Sequence, residues 1–449
     1  MRYLSVATII YSIFIWAFVG PILNIAKIFS DRVKRQLQGR ADASSTKFLI
    51  ELATLRMKAK NCAVFFCSSA GEFEQAKPII DRLQKANVFT HVFFFSRSGV
   101  EFAEARQEES SYSLSPLDIM WTWGAIFSVL RPKTVILVRH EFWPAFLMAA
   151  RQWATIALIN GVPPSMLGRE PKIKTKASAF LKKLLLGPQA KIYTVDQEGQ
   201  DFYANTLGYK SSHLKIVGDS KYDRVFERVE HLRETSLETN TQLKKFWMGS
   251  KPILILGSAH LPDLNFILET LRHPKAPKVK LLVVPHDLSS RNIIDMTRLL
   301  KENNLISELY SEVEVLLLDK KQIESDAIVV DTLGRLSELY GVADLAWIGG
   351  AIHSKIHNVL EPAAWGVPMS SGTRYQNSQE AKILKEEGLL FCTNSRDQLI
   401  DKWHEQLQVA SETGHSLTRV IKKFCGTSES IIRDLNIIED QDARKTNHH

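Results

Sequence analysis

Short hydrophobic runs alternate with longer amphipathic stretches along most of the chain beyond residue 40. In the first half of the chain, the hydrophobic runs predict buried strands at 63–67, 91–95, 134–138, 155–159 and 191–195. Amphipathic stretches such as 74–85 and 99–107 lie between these runs and predict helices. This alternation is typical of βαβ units, and it therefore predicts a parallel sheet.

A second series of hydrophobic runs follows a charged stretch at 218–233, where the rhythm breaks. It predicts strands at 253–256, 280–284, 313–318, 327–330 and 345–348. We therefore predict an α/β chain of four segments, with limits at 1–40, 41–220, 221–410 and 411–449. The two long segments should be Rossmann-like domains that face a central cleft, because open α/β sheets bind ligands outside the carboxyl ends of their strands.

The N-terminal segment has a different pattern, because residues 3–25 contain no charged side chain. A span of about 20 apolar residues matches the hydrocarbon core of a bilayer. Only Arg2 precedes it, whereas five basic residues follow it: Lys27, Arg32, Lys34, Arg35 and Arg40. This asymmetry predicts a membrane anchor with the main body on the cytoplasmic side. A helix lying in the interface, interrupted at Gly20-Pro21, and a buried helix of a soluble domain are the alternatives.

Composition narrows the choice of partner and cofactor. The 449 residues carry a formal net charge of +8, which suits an anionic membrane surface or nucleic acid. The four cysteines form no CxxC pair, which is typical of reduced thiols. The chain has no GxGxxG or GxxxxGK[ST] motif, no HExxH, and no DxD motif in either long segment. We therefore expect no metal and no cofactor.

The first candidate for chemistry is Glu72, which follows the predicted strand at 63–67 and the small residues 68–71. Small residues allow a tight turn and the close approach of a ligand. An acid in the first turn of a helix also complements the helix dipole, so Glu72 has a structural interpretation. The functional interpretation is a general base at the edge of the sheet.

Three further stretches follow predicted strands. Glu141 comes just after the strand at 134–138, either as a cleft residue or as a partner of Arg139. The Gly257-Ser258-Ala259-His260 stretch suits an anion cradle at a helix start, or simply a capped helix. Asn358 and Glu361 are three residues apart, so they should share a face at a helix start. An amide and a carboxylate there can bind ribose hydroxyls, although a cap with a neighbouring acid is the alternative.

The order of these motifs resembles one family, the 3-deoxy-D-manno-octulosonic acid (Kdo) transferases, from the N-terminal segment to about residue 410. The resemblance is carried by Ser69-Ala70-Gly71-Glu72, Glu141-Phe142-Trp143-Pro144, Gly218-Asp219-Ser220-Lys221-Tyr222-Asp223, Gly257-Ser258-Ala259-His260, Asp331-Thr332-Leu333-Gly334 and His357-Asn358-Val359-Leu360-Glu361-Pro362. It implies a GT-B glycosyltransferase with an N-terminal membrane-anchor helix, whose first domain takes the acceptor and whose second takes the nucleotide sugar.

The resemblance also implies a reaction and its residues. Kdo would pass from CMP-Kdo to a hydroxyl of a lipid A precursor with inversion, at the cytoplasmic face of the inner membrane, with membrane lipid but no nucleic acid as a further partner. Glu72 would be the general base. Donor-binding residues would be Ser258, His260, His286, Thr332, Leu333, Gly334, Arg335, Asn358 and Glu361. Acceptor-binding or sugar-binding residues would be Ser69, Gly71, Ser96, Gly99 and Glu141.

The chain departs from the family at several positions, two of which change the charge near the predicted nucleotide site. Pro285-His286-Asp287 stands where the family usually has Pro-Arg-His, and Arg335 replaces an acid after Asp-Thr-x-Gly. Two alternatives to Kdo transfer therefore follow. One is a GT-B enzyme with a different nucleotide sugar, and the other is a non-catalytic relative at the membrane.

Overall fold

The computed structural model describes residues 2–37, 39–40, 42–139, 142–163, 176–248 and 251–438. The chain divides into two compact units, Met1–Arg224 with Cys425–His449, and Val225–Phe424. We refer to them as unit 1 and unit 2. The sequence places the change of domain at 220/221, whereas the division between the units falls four residues later.

Each unit is built on a seven-stranded sheet in which all neighbouring strands are parallel. Unit 1 has the strand order β3-β2-β1-β4-β5-β6-β7, and unit 2 has β10-β11-β9-β8-β12-β13-β14. The strands are β1 (Asn61–Cys67), β2 (Val88–Phe94), β3 (Ser111–Leu114), β4 (Thr134–Val138), β5 (Thr155–Gly161), β6 (Lys191–Thr194), β7 (Leu214–Ile216), β8 (Ile253–Ala259), β9 (Lys280–Pro285), β10 (Ser307–Leu309), β11 (Ala327–Val329), β12 (Leu345–Ile348), β13 (Met369–Ser371) and β14 (Leu390–Cys392).

Helices connect the strands and cover the sheets, as parallel crossovers require. They are α1 (Arg2–Phe14), α2 (Gly20–Phe29), α3 (Asp31–Leu37), α4 (Thr46–Arg56), α5 (Ala70–Lys85), α6 (Arg97–Ala105), α7 (Met120–Leu130), α8 (Pro144–Ala150), α9 (Lys176–Leu186), α10 (Gln197–Asp201), α11 (Lys221–Thr235), α12 (Leu237–Leu243), α13 (Leu261–Leu271), α14 (Ser290–Glu302), α15 (Tyr310–Leu318), α16 (Leu336–Leu339), α17 (Leu360–Trp365), α18 (Gln379–Glu386), α19 (Arg396–Gln408), α20 (Ala410–Lys423) and α21 (Thr427–Leu435).

The core of unit 1 has two layers, one on each face of its sheet. Val64 and Phe66 of β1 belong to one layer, and Ala63 and Phe65 belong to the other. Successive side chains of a strand point to opposite faces, so a strand buried on both sides must be hydrophobic at every position. This is why continuous hydrophobic runs, rather than alternating ones, predicted the strands correctly.

The N-terminal apolar segment is helical over its whole length. Gly20-Pro21 does not break it, because a π-helical turn at Ile15–Val19 joins α1 to α2 and the Gly20 amide donates to the Ile15 carbonyl. The span Val6–Ala26 is long and apolar enough to cross a membrane. Large side chains along it are exposed, including Trp16 at 61%. The helix is therefore compatible with association with a membrane.

The chain returns to unit 1 at its C-terminal end. The Asp223 carboxylate accepts hydrogen bonds from the amides of Gly426, at 2.6 Å, and Ser428, at 2.7 Å. Ile431 and Ile432 of α21 then pack into the core layer that contains Ala63 and Phe65. The C-terminal helix region predicted at 411–449 therefore divides, since α20 belongs to unit 2 and α21 to unit 1. The predicted polar tail, 439–449, lies outside the described residues.

The predicted strand at 313–318 is wrong, because this run lies in helix α15. Tyr310, Val313 and Leu317 are buried at helical spacing, whereas Val315 and Leu318 are 58% and 83% exposed. The run Val-Glu-Val-Leu-Leu-Leu has five apolar residues, and periodicity alone cannot distinguish a strand from a helix in so short an apolar run. The strand at this place is the short β10, just before the helix.

Candidate active site

The predicted site residues follow the carboxyl ends of strands in both units. In each sheet the strand order reverses direction at one point, between β1 and β4 in unit 1 and between β8 and β12 in unit 2. Crevices at such points are where open α/β sheets bind ligands. Glu72 follows β1, and the Ser258 and His260 pair lies at the end of β8.

Glu72 lies in the first turn of α5 and is partly buried. The N-cap residue of this helix is Ser69, and the Glu72 Oε2 atom accepts a hydrogen bond from the amide of Ser68. The carboxylate therefore does what the structural interpretation requires, since it satisfies a backbone donor near the helix start. Ser69 and Gly71, two predicted sugar-binding residues, are exposed beside it.

The loop after β2 lies beside the loop after β1. The Ser96 amide donates to the Ser68 carbonyl at 3.2 Å, and the Phe95 amide donates to the Cys67 carbonyl at 3.1 Å. Gly99 is buried nearby in α6, where an added Cβ would lie 2.4 Å from a Phe94 ring carbon. Packing against that ring thus explains the glycine without a ligand.

An apolar cavity of about 510 Å³ opens next to Ser96. Its lining combines the N-terminal helix with the carboxyl edge of the first sheet, and includes Tyr11, Ile15, Val19, Leu23, Phe66, Phe95, Ser96, Ser115, Leu117, Trp123 and Trp143. The rings of Phe95 and Trp143 stack with their centroids 4.6 Å apart. Cavities of this size and character suit apolar ligands.

Arg40 also lines this cavity, and it is 8% exposed. Its guanidinium donates to the carbonyls of Ser115, at 2.8 Å, and Phe95. Burial lowers the pKa of this group. Arg40 was predicted to belong to the basic flank of the membrane helix. In the structure its hydrogen bonds to Ser115 and Phe95 join the N-terminal segment to the edge of the sheet. Glu141, the other predicted cleft acid, lies outside the described residues.

In unit 2, two glycines allow close packing at the ends of β8 and β12, one against a side chain and one against backbone. An added Cβ at Gly257 would lie 2.0 Å from the Tyr340 hydroxyl, and one at Gly349 would lie 2.3 Å from the Ser258 carbonyl oxygen. Ser258 itself has a φ of 52°. The ends of β8 and β12 are therefore drawn together by packing, which places Ser258 and His260 beside the segment that carries Asn358.

Asn358 and Glu361 do not share a helical face as predicted, because α17 begins at Leu360. Asn358 is exposed, and its Oδ1 atom accepts from the Leu360 amide at 2.9 Å. Glu361 is 9% exposed, and its Oε1 atom pairs with Arg228 Nη1 at 3.3 Å. The amide thus caps the helix, and the carboxylate has a fixed orientation beside it.

The stretch after β11 brings a hydroxyl and a cation to the same edge. The Thr332 hydroxyl oxygen is buried without a hydrogen-bond partner among the described residues. Leu333 is 89% exposed, and Gly334 has a φ of 87°. Arg335 pairs with the carboxylates of Glu314, at 2.6 Å, and Glu338, at 3.0 Å. Burial opposes the charge of Arg335, but these two carboxylates outweigh it and raise the pKa.

Four histidines of unit 2 lie together at this edge. The Nε2 atoms of His260 and His357 are 3.0 Å apart. The His286 ring stacks on His357 with centroids 4.4 Å apart, and the His353 ring meets His260 edge-on at 4.6 Å. Burial, and then the positive charges of neighbouring histidines, lowers the pKa of His260 and lowers that of His357 to about 4.

Neither His353 nor His357 was predicted to be a site residue. Residues 260, 286 and 357 are far apart in the chain, so their spacing resembles no metal or catalytic motif. The available signal was that each follows a predicted strand, since such positions converge at one edge of a parallel sheet.

Comparisons with known proteins agree with the motifs. A family model described as 3-deoxy-D-manno-octulosonic-acid transferase (kdotransferase) matches residues 44–224. A 3-deoxy-D-manno-octulosonic acid transferase of Haemophilus influenzae is 26% identical over 343 residues, 74% of this chain and 76% of the relative. One of Aquifex aeolicus is 24% identical over 351 residues, 77% of this chain and 86% of the relative.

Solved structures resemble the fold. A UDP-GlcNAc 2-epimerase from Neisseria meningitidis has a TM-score of 0.55 at 14% identity, covering 84% of this chain and all of the other. A glycosyltransferase from Rickettsia africae has a TM-score of 0.51 at 13% identity, covering 85% of this chain and 99% of the other.

Two Rossmann-like units on parallel sheets, with the relatives just described, define a glycosyltransferase of the GT-B fold. More narrowly, the chain is similar to 3-deoxy-D-manno-octulosonic acid transferases over most of its length.

Proposed function

We propose that this protein transfers Kdo from CMP-Kdo to a hydroxyl of a lipid A precursor, with Glu72 as the general base. One observation carries the proposal. The Ser68 amide donates to Glu72, and the Ser68 carbonyl accepts from the Ser96 amide. Ser96 lines the apolar cavity that the N-terminal helix helps to form. A fixed carboxylate thus lies one loop away from a cavity suited to the apolar part of a lipid.

The proposed step is an inverting substitution. The acceptor hydroxyl oxygen forms a bond to the anomeric carbon of Kdo while the bond from that carbon to the CMP phosphate breaks. Glu72 takes the hydroxyl proton, and CMP leaves with the bonding electrons. The Ser68 hydrogen bond engages the Oε2 atom and orients the carboxylate, which favours proton transfer at a defined position.

The proposed donor site is the edge of unit 2. Glu361, oriented by Arg228, and Asn358 would hold the ribose hydroxyls. The buried Thr332 hydroxyl, which has no partner among the described residues, would gain one from the nucleotide. Ser258, His260 and His286, with Leu333, Gly334 and Arg335, complete the proposed donor contacts. Ser69, Gly71, Ser96, Gly99 and Glu141 remain proposals for the acceptor and sugar side.

The proposed location is the cytoplasmic face of the inner membrane. The apolar helix Val6–Ala26 supports membrane association, and basic residues follow it more heavily than they precede it. Four residues of this helix line the cavity, namely Tyr11, Ile15, Val19 and Leu23. An acceptor lipid held there would keep its chains near the bilayer that supplies it.

The test is mass spectrometry of the product formed by the full-length protein from CMP-Kdo and a tetra-acylated lipid A precursor. We expect a mass gain of one or more Kdo residues, and loss of that product in Glu72→Gln. The Glu312→Gln variant is the matched control, since Glu312 accepts the Leu309 amide at the start of α15 as Glu72 accepts that of Ser68. No Kdo-modified lipid from the wild type would refute the proposal. Full activity in Glu72→Gln would refute only the role of Glu72.

A different nucleotide sugar is the second candidate, because Arg335 stands where the resembled family usually has an acid. Its charge is offset by Glu314 and Glu338, so the polar groups at this point of the predicted nucleotide site differ from those of the family. Thermal stabilisation by UDP or GDP but not by CMP would favour this candidate, whereas stabilisation by CMP alone would exclude it.

A further inference from the structure

We infer that His260, His286 and His357 form a binding site for one divalent transition-metal ion of the zinc class. One ring nitrogen from each histidine can be chosen so that all three lie within 4.8 Å of one another. Ligands of a tetrahedral zinc ion, with Zn–N bonds of about 2.0–2.1 Å, lie roughly 3.3 Å apart. The 3.0 Å separation of the His260 and His357 Nε2 atoms is already close to this spacing.

The third ligand has room to close the site. His286 is exposed, and it follows β9 directly, with its amide bonded to the Ala259 carbonyl at 2.9 Å. Its backbone is therefore fixed to the neighbouring strand while its ring remains accessible. A rotation of this one side chain completes a three-histidine set, and the fourth position remains open to solvent or to an anionic oxygen.

A buried carboxylate beneath the cluster is a second, independent observation. Asp263 is fully buried, and its Oδ2 atom accepts from the amides of His260 and Gly350, each at 3.0 Å. Its Oδ1 atom accepts from Trp347 Nε1 at 3.3 Å. A buried carboxylate that is hydrogen-bonded only to neutral donors in these contacts favours a cation nearby. The dication would lie on the side where the imidazoles converge.

The ligand type decides the class of metal. Imidazole nitrogens suit zinc, copper, nickel and cobalt, whereas magnesium and calcium prefer oxygen ligands. The inference revises the expectation from the sequence that no metal is bound. It does not depend on the identity of the sugar donor, and the proposed transfer step does not pass through the metal.

Cobalt(II) is the probe, because tetrahedral coordination gives it strong visible absorption. We expect the tag-free, full-length protein to bind one cobalt ion with such a spectrum, and to release it when zinc is added. His286→Ala should weaken cobalt binding by at least about 100-fold, since even partners of ligands contribute 10–100-fold. Because His286 is exposed, its removal should leave the fold intact, which circular dichroism and thermal unfolding would check.

His357→Ala should produce the same loss, and His404→Ala is the matched control. His404 is an exposed histidine of unit 2 whose Nε2 atom bonds to the Lys275 carbonyl at 2.7 Å. Wild-type protein without the cobalt spectrum, or His286→Ala with wild-type affinity, would overturn the inference. Wild-type protein that binds cobalt but forms no Kdo-modified lipid would count against the proposed function alone.

Discussion

Both units carry their candidate site residues at the carboxyl edge of a parallel sheet, but the side chains at the two edges differ in kind. Unit 1 offers one fixed carboxylate, Glu72, beside an apolar cavity. Unit 2 offers clustered imidazoles, an exposed amide and a carboxylate held by Arg228. Under the proposed function, unit 1 would take an apolar acceptor and a proton, and unit 2 would take a polar, anionic donor.

The largest expected effect tests whether Glu72 is a general base or only a helix cap. Glu72→Gln keeps an oxygen that can accept the Ser68 amide but cannot take a proton at neutral pH. We expect kcat to fall by roughly 10²–10⁴-fold, with little change in thermal stability. An unchanged kcat would identify Glu72 as a cap. Glu312→Gln, the capping counterpart in unit 2, should leave kcat unchanged.

Acidification should weaken unit 1 through the buried His91, whose pKa is lowered further than that of His357 in unit 2. His91 is fully buried between the hydroxyls of Ser111, at 2.8 Å, and Ser113, at 3.1 Å. Burial lowers its pKa to about 3, below the ordinary value of 6.5. Between these values the unfolded chain binds the proton and the folded chain does not. Stability is therefore full above pH 6.5 and is lost as the pH falls toward 3, by about 1.4 kcal/mol per pH unit.

Hydrogen exchange of β2 peptides between pH 6 and pH 4, corrected for intrinsic exchange rates, would measure this loss. We expect His91→Gln to flatten the pH dependence, whereas His273→Gln, at an exposed position of unit 2, should not. An unchanged slope in His91→Gln would assign the pH dependence to other groups.

A methyl group added at a closely packed glycine should destabilise unit 2 more than unit 1. Gly349→Ala brings a Cβ against the Ser258 backbone, which cannot move without disturbing β8. Gly99→Ala brings one against the Phe94 ring. We expect Gly349→Ala to lower the free energy of unfolding by about 1–3 kcal/mol, measured by urea titration, and Gly99→Ala to cost less. The reverse order would show that the edge of unit 2 is the more adaptable one.

The smallest expected effect concerns nucleotide affinity at unit 2. Asn358→Ala removes a side chain that is exposed and available to a ribose, so CMP should bind up to about tenfold more weakly. Arg335→Gln should change the affinity less than threefold, because Glu314 and Glu338 already offset the arginine charge. Isothermal titration with CMP measures both. A larger loss in Arg335→Gln than in Asn358→Ala would place the phosphate at Arg335.

The sequence predicted the strands well where both faces of the sheet are buried. The strands β1, β4 and β8 are hydrophobic at nearly every position because both faces are covered. The prediction was wrong at 313–318, where a short, mostly hydrophobic run fits either a strand or a helix. Three-residue strands such as β7 and β13 were not predicted.

The candidate site was predictable only in part. Motif order located Glu72, Ser258 and Glu361 at strand ends, but order along a chain does not reveal hydrogen bonds. The pairing of Arg335 with Glu314 and the stacking of His286 on His357 depend on tertiary packing, and neither contact has a local sequence signal.

The return of α21 to unit 1 also sets the order in which the protein can be made. A ribosome releases α1 and most of unit 1 early, but Ile431, Ile432 and Ile437 of its core are translated only after the whole of unit 2. Until then the core layer that contains Ala63 and Phe65 lacks these residues, and Asp223 lacks two donors. Unit 1, which carries the membrane helix, therefore cannot complete its core until unit 2 has been synthesised. The hydrophobic surface that is exposed in the meantime is of the kind that chaperones protect.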